Sequence, residues 1–398
     1  MKINKTVCIL TSGKGTRMGS LGLKLAKALH PMGGKAIISH IIDKFPTETE
    51  FIISLGFHGN QVKQYLSIAH KNRKFIFVDV DNYEGPGSGP GYSLLCCKSH
   101  LQKPFYFVSC DTLWKNDINW NQKNNWFGVD NVLIEDSSNY CNLKIENNLI
   151  RSISDKKKSD PKYFKAFVGL CHINDYKIFW NSLEINTTIN KEHQISNGIS
   201  GLISNAKVHP VNVNWTDVGD EEKYKKELKK FENFNFSKSD EAIYIVNNKV
   251  IKFFYNSDIT KKRVEKSKIK KNIFPDIKHH CGQFYGYDLV AGETLYKKNN
   301  TSIFNELLNW LHKSVWTSEK IESKYIKDSC YKFYKEKTNS RLKLFFDKYP
   351  IINQELPVNG ESVPSINSIL ELLPWNNLFN GIATFIHGDL QFDNIIFD

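Results

Sequence analysis

The sequence predicts an α/β protein, with a mostly parallel sheet covered by helices on both faces in its first part and a second, α+β domain after it. Three observations carry this. Apolar runs of strand length alternate with helical runs between residues 6 and 109. Glycine-rich and aspartate-bearing turns fall directly after those strands. Near residues 231–241 the composition becomes polar, and a hairpin pattern starts afresh. A chain of 398 residues has room for two or three domains at ~100–200 residues each.

Residues 6–11 (Thr-Val-Cys-Ile-Leu-Thr) read as a short buried strand. Residues 35–45 read as a helix with Ile37, Ile38, Ile41 and Ile42 on one face. Phe51 to Leu55 is a second strand, Val62 to Ala69 a helix and Phe75 to Val80 a third strand. Tyr92 to His100 is helical, and Phe105 to Ser109 is a fourth strand running into Cys110-Asp111. Such alternation implies a parallel sheet, whose ligands bind beyond the carboxyl ends of the strands. The glycine turn after residue 11 and Asp111 both fall there. The boundary at 231–241 separates residues 1–232 from 240–398. In the second part, Ala242 to Val246, a turn at Asn247-Asn248, and Val250 to Phe254 read as a β-hairpin. From about Ile303 the pattern is mostly helical, and it closes on a strand, Thr384-Phe-Ile, before His387-Gly388-Asp389.

The formal net charge is +12, from 54 Lys and Arg against 42 Asp and Glu. The basic residues come in short runs such as Lys156-Lys157-Lys158 and Lys261-Lys262-Arg263, several beside glutamates at helical spacing. Solvated helix faces explain them, and small phosphate-bearing substrates suit the surplus. No recognised nucleic-acid-binding motif is present, so no nucleic-acid partner is expected. No apolar run reaches the ~18 residues of a membrane span. Met1 to Leu10 lacks a small-residue cleavage site, so a cytoplasmic protein is expected. The eight cysteines include one adjacent pair, Cys96-Cys97, and no C-x-x-C, which suits reduced thiols rather than a disulfide framework or a zinc site. The oligomeric state stays open.

Ser12-Gly13-Lys14-Gly15-Thr16-Arg17-Met18-Gly19 follows the first strand. Glycines let backbone N–H groups approach an anion, and Lys14 and Arg17 add charge. The turn is not a Walker loop, since no Gly-Lys-Ser/Thr closes it, nor a G-x-G-x-x-G, since Met18 takes the last glycine's place. Lys27-Ala28-Leu29-His30-Pro31 and Gly33-Gly34-Lys35 come next. Gly85-Pro86-Gly87-Ser88-Gly89-Pro90-Gly91, Cys110-Asp111 and Trp215-Thr216-Asp217-Val218-Gly219 with Tyr224 follow in order. Over about residues 6–230 this series resembles the sugar-phosphate nucleotidylyltransferase family. The resemblance implies a Rossmann-like nucleotidyltransferase domain. In that reading Gly13, Lys14, Gly15, Thr16 and Arg17 hold a nucleoside triphosphate, Gly89 and Gly91 shape the base-binding loop, and Lys27 bridges the α-phosphate and the acceptor's phosphate. Arg17 and Lys27 are then catalytic, and Asp111 and Asp217 hold Mg²⁺. Alone, either aspartate could be a strand-end or turn residue. CTP or UTP is the expected donor and a phosphorylated sugar or small alcohol the acceptor. The sequence departs from the family at Ala26, Cys110 and the Gly89-Pro90-Gly91-Tyr92 stretch, which bears on base and acceptor, not on reaction type. Glu192, His193 and Asn197 lie where an acceptor loop, or an ordinary surface loop, would be.

His387-Gly388-Asp389-Leu390-Gln391-Phe392-Asp393-Asn394 matches H-G-D-x-x-x-x-N. It resembles the catalytic loop of aminoglycoside-phosphotransferase and choline-kinase-like enzymes, a protein-kinase-like α+β fold. The resemblance implies Asp389 as the catalytic aspartate beside the acceptor hydroxyl, Asn394 as a Mg²⁺ ligand, Lys252 as the ATP-phosphate lysine with Glu265 as its partner, and Tyr285 to Leu295 as the adenine hinge. The N-lobe would span about 240–290 and a partial C-lobe about 296–398. The family's second metal aspartate would lie beyond Asp398, so a kinase half inactive as it stands, with a poorly supported last strand, is expected. Together the two halves read as a bifunctional enzyme feeding cell-surface polysaccharide or lipid head groups, its ATP-dependent kinase half making the phosphorylated acceptor. The alternative is a nucleotide-binding regulatory or scaffold protein with a degenerate kinase half.

Overall fold

The structure is a computed structural model that describes residues 5–157, 165–185, 188–189, 191–234, 240–298, 300–350 and 353–397. Lys158 and part of the expected boundary segment, 235–239, lie outside the described residues. The chain falls into two compact units, Met1–Leu289 and Val290–Asp398.

In the first unit β1 (Thr6–Leu10), α1 (Ile37–Asp43), β2 (Glu50–Leu55), α2 (Gly59–Ala69), β3 (Lys74–Asp79), α3 (Pro90–Cys96) and β4 (Phe105–Ser109) alternate as expected. β1 pairs in parallel with β2 and β4, and β2 with β3, giving the order β4-β1-β2-β3. β1 is buried on both faces: Val7 and Ile9 join the core that holds α1 and α2, while Cys8 and Leu10 join the core that holds α3. This is why it reads as a continuous apolar run rather than an alternating one.

Beyond β4 come β5 (Thr112–Trp114), β6 (Asn125–Asn131), β7 (Cys141–Glu146), β8 (Leu149–Asp155), β9 (Lys165–Ile173), α4 (Tyr176–Leu183), α5 (Ser196–Asn205), β10 (Val208–Asn212), β11 (Trp215–Asp217) and α6 (Glu221–Leu228). β9 runs antiparallel to β4, β6 and β7, while β10 pairs with β6 in parallel, so the sheet is parallel through its centre and mixed on this flank. The short ribbon of β5 and β11 pairs Thr112 with Asp217 and so sets the end of one motif beside the end of another.

Residues 241–288 form a four-stranded antiparallel sheet from β12 (Glu241–Val246), β13 (Lys249–Phe254), β14 (Ile277–Cys281) and β15 (Phe284–Asp288), with α7 (Ser257–Ile269) between β13 and β14. The expected hairpin is present, and Asn247 and Asn248 take φ values of 51° and 57° at its turn. Ala242, Tyr244, Phe253 and Phe284 enter the same core as α1 and α2. The Tyr244 hydroxyl donates to the Leu29 carbonyl (2.8 Å), and its ring lies 4.8 Å from that of Tyr65. Compactness therefore divides the chain after Leu289, not near residue 232, because one face of this sheet finds its cover on α2 and the segment at Leu29.

The second unit is mostly helical, with Thr301–Trp310, Ser323–Cys330, Lys337–Lys348 and Ile366–Leu372 as its longer helices. The expected strand at Thr384-Phe-Ile does not form; Thr384 makes a single antiparallel bridge to Ser318. The Glu319 N–H donates to the Ala383 carbonyl (3.1 Å) and the Phe385 N–H to the Thr317 carbonyl (3.3 Å), which closes the bridge. Ile396–Phe397 pairs antiparallel with Glu293–Thr294, so the last strand has a neighbour.

Candidate functional site

The turn after β1 carries the first group of site residues. Gly15, with φ 67°, sits in the left-handed region and passes 3.3 Å from the Lys27 Cβ, measured from where its own Cβ would be. A larger residue there would be both strained and crowded against Lys27. Thr16 and Arg17 then enter a 3₁₀ turn, exposed like Gly13. Lys14 pairs with Glu84 at 2.6 Å, tying the phosphate-type turn to the residues before the second glycine loop. The Ser12 hydroxyl donates to the Ser93 hydroxyl (2.8 Å), fixing the end of β1 against α3.

Lys27, Asp111, Asp217 and Arg17 converge at the carboxyl ends of β1 and β4. The Lys27 Nζ donates to Asp111 Oδ2 at 2.6 Å and to the Gly219 carbonyl at 2.8 Å. An Arg17 guanidinium nitrogen lies 3.8 Å from the same Asp111 oxygen. Burial alone would raise the Asp111 carboxyl, but contact with Lys27 and the nearby Arg17 charge hold it below its ordinary value. Gly219 packs between the two aspartates: a Cβ on it would stand 2.8 Å from Asp217 Oδ1 and 3.0 Å from Asp111 Oδ2. Its N–H donates to Asp217 Oδ1 (2.8 Å), and the Val218 N–H donates to the Asp111 carbonyl (3.2 Å). Beside them the Cys110 thiol is pushed up to about 12 by burial and by the Asp111 charge, so it stays a neutral packing residue.

Two residues of this cluster escaped the sequence reading. The outer oxygen of Asp217 accepts from the Lys223 Nζ (2.7 Å) and from the Tyr140 hydroxyl (2.9 Å). Lys223 had one local signal: it lies three residues after Asp220, which caps α6 by accepting the Lys223 N–H at 2.9 Å. Tyr140 had none, since it arrives at the mouth of β7 from a separate loop.

The second glycine loop is built by close approach. Gly85, Gly87 and Gly89 have φ values of 88°, 83° and 120°. Cβ atoms on Gly89 and Gly91 would meet the His193 carbonyl at 2.6 and 2.8 Å. The expected acceptor-loop side chains turn elsewhere. His193 is buried and bonds the Leu183 carbonyl (2.7 Å), Glu192 accepts from Gln194 (2.8 Å), and Asn197 reaches the Ile185 carbonyl (3.5 Å). The His193 backbone and ring edge, with the Glu192 Cβ, close against the loop glycines. Tyr224 is buried and donates to the Pro31 carbonyl (2.6 Å), fixing α6 under the site.

Lys252 lies on β13 opposite Ile243 and Tyr285, with its ammonium 6.0 Å from the Tyr287 ring. Glu265 is exposed on α7. In the second unit the Asn394 amide donates to the Asp389 carbonyl at 2.9 Å and approaches its carboxylate at 3.3 Å. The two residues are therefore brought together by the 3₁₀ turn Phe392–Asn394.

Residues 7–118 match the family model of the MobA-like NTP transferase domain. Residues 7–118 thus carry a nucleotidyltransferase-type domain, with the glycine turn, Lys27 and Asp111 inside the matched span. The chain is 24% identical to the bifunctional protein GlmU of Methanococcus vannielii over 219 residues, 53% of this chain and 51% of that protein. It is 43% identical to the bifunctional protein GlmU of Enterococcus faecalis over 65 residues, 16% of this chain and 14% of that one. The chain spans about half the length of the longer-matching curated relatives. A crystal structure of UDP-glucose pyrophosphorylase with UDP-glucose superposes with a TM-score of 0.50 at 16% identity, over 58% of this chain and 99% of that one. That likeness shows the Rossmann-like α/β fold. No helix among the described residues is long and apolar enough to cross a membrane.

Proposed function

We propose that this protein transfers a nucleotidyl group from a nucleoside triphosphate, CTP or UTP, to a phosphorylated sugar or small alcohol and releases pyrophosphate. The observation that carries this reading is the Lys27 ammonium held between Asp111 and the Gly219 carbonyl, beside Asp217 and under the glycine turn. An acceptor phosphate oxygen would attack the α-phosphorus, the bond to the bridging oxygen would break, and pyrophosphate would leave with the electron pair. The acceptor phosphate is already ionised, so the step needs alignment and charge neutralisation rather than a general base. The backbone of Gly13 to Gly15 and the Arg17 guanidinium would cradle the triphosphate, while Lys27 neutralises charge shared between the α-phosphate and the acceptor.

Mg²⁺ fits the donor set. Asp111 and Asp217 offer hard carboxylate oxygens on either side of Gly219. Among the described residues no group of three or more His, Cys, Asp or Glu side chains is placed to hold a metal ion, so substrate oxygens and water would complete the shell. When bound, the ion would neutralise phosphate charge.

In the same reading the second half is a kinase-like domain of the kind that would make the phosphorylated acceptor, with Asp389 placed for the hydroxyl and Asn394 for a Mg²⁺; their approach at 3.3 Å supports it. The test is pyrophosphate release across the four triphosphates and a panel of phosphorylated sugars and alcohols, repeated with D111N and D217N. Release from one pair, lowered about a hundredfold or more in either variant, is expected. Release unaffected in both would remove the assignment. ATP-dependent phosphorylation of the parent alcohol, assayed in wild type and D389N, tests the second half: little or none is expected, and robust phosphorylation that D389N abolishes would show that this half is active.

A further inference from the structure

Each of the two site aspartates already carries a protein cation. Asp111 holds Lys27 at 2.6 Å, and Asp217 holds Lys223 at 2.7 Å. Lys223 also reaches Asp220 Oδ2 at 3.1 Å and the Tyr140 hydroxyl at 2.8 Å, and lies 5.1 Å from the Tyr140 ring. Three carboxylates (Asp111, Asp217, Asp220) thus face three cations (Lys27, Arg17, Lys223), and the cluster has no net charge.

Local structure does not explain the lysine. It occupies the third position of α6, behind the Asp220 cap and after Glu221 and Glu222. The first turn of a helix exposes N–H groups and favours negative charge, and the capping pattern there favours Glu or Gln. A lysine at that place opposes the helix dipole and is held by Asp217 and Asp220. Asp220 fixes its backbone and its side chain together, so the ammonium is aimed at Asp217 before any substrate arrives.

We infer that Lys223 is a resident counter-ion of Asp217, which keeps the site alone from taking up a free divalent cation and so makes the cation enter together with the triphosphate. The inference rests on the nucleotidyl-transfer reading and makes Lys223 a positioning residue, acting through Asp217. A neutral pair of aspartate–lysine contacts offers a bare cation little attraction. A triphosphate supplies the missing negative charge and further oxygen ligands, and its own charge can draw the Lys223 ammonium off Asp217.

The experiment is a Mn²⁺ titration of the full chain, followed by loss of the free-ion EPR signal, on wild type, K223Q, K223R and the double variant K223Q/D217N. Melting curves check the fold. Wild type and K223R should leave the free Mn²⁺ signal nearly intact. K223Q should bind Mn²⁺ about tenfold to a hundredfold more tightly, the span that one ionic contact covers between water and a protein surface. The double variant should lose that gain. Equal Mn²⁺ affinity in K223Q and wild type overturns the inference. A second measurement uses wild type only: equilibrium dialysis of CTP and UTP should show retention that requires Mg²⁺. Tight Mn²⁺ uptake by wild type without nucleotide overturns the inference even if K223Q does not fold. Pyrophosphate release by wild type reports on the nucleotidyl-transfer reading separately: release with unchanged Mn²⁺ affinity sinks only the role of Lys223, and no release with any pair sinks both.

Discussion

Asp111 and Asp217 face each other across the bare Cα of Gly219, their near oxygens 3.0 and 2.8 Å from the place a Cβ on that glycine would take. The register of β5 and β11 sets this up, because Thr112 pairs with Asp217 and the residue before Thr112 is Asp111. The glycine is required here for space: its φ is not in the left-handed region.

Gly219→Ala should therefore separate fold from activity. The added methyl has to push one or both carboxylates away, and misplaced ligands cost catalysis more than stability. We expect pyrophosphate release to fall by about a hundredfold, with the melting temperature within a few degrees of wild type. Full activity in this variant would show that the two carboxylates do not act as a pair.

Lys27→Ala should lower turnover more than it raises the triphosphate KM. Its ammonium sits where charge builds between two phosphates, so its largest contribution comes in the transition state. Arg17 is exposed and stands 3.8 Å from Asp111, so Arg17→Ala should mainly raise the triphosphate KM. Steady-state kinetics on both variants separate the roles; a KM effect alone for Lys27→Ala would make it a ground-state binder.

Stability should fall with acid well above the carboxylate range. His30 and His70 are buried, and burial, helped by the Lys27 charge at His30, lowers both to about 4. In the unfolded chain each takes up a proton near 6.5. Between those values the unfolded state binds more protons, so the stabilisation is complete above about pH 6.5 and disappears towards pH 4. Each ring accounts for on the order of 3 kcal/mol over that window. The depressed Asp111 carboxyl acts in the same direction at lower pH. Melting temperatures from pH 7.5 to 4.5 should drop steadily, and H30F and H70Q should each flatten the curve. A flat wild-type curve would contradict the buried neutral state of these rings.

Ending the chain after residue 234 should leave the nucleotidyltransferase unit unstable. The fragment would expose the part of the core around Tyr65 and Leu29 that Tyr244, Phe253 and Phe284 complete, and losing a buried aromatic typically costs about 3–5 kcal/mol. Such a fragment should be poorly soluble or bind a hydrophobic dye, whereas one ending at residue 289 should melt cooperatively. A soluble, cooperative 1–234 fragment would show that the second sheet is dispensable.

Much of this site was legible in the sequence because its parts are local. A buried strand followed by a glycine turn, a lysine before Pro31, and an aspartate at a strand end each carry their signal within a few residues, and the parallel pairing of β1 to β4 follows from alternation, while their order, with β1 between β4 and β2, does not. The sequence also marked the hairpin at Asn247-Asn248, since those residues tolerate the left-handed region its turn needs. What it could not show depends on which ends meet. Tyr140 and Lys223 reach Asp217 from 77 and 6 residues away, on a loop and a helix start whose patterns serve other purposes locally. His193 turns to the Leu183 carbonyl because the segment lies back against Gly89 and Gly91, a packing fact with no periodicity to announce it. The second sheet's attachment to α2 was hidden for the same reason: an alternating strand says that one face will be buried, and only the tertiary structure decides against what.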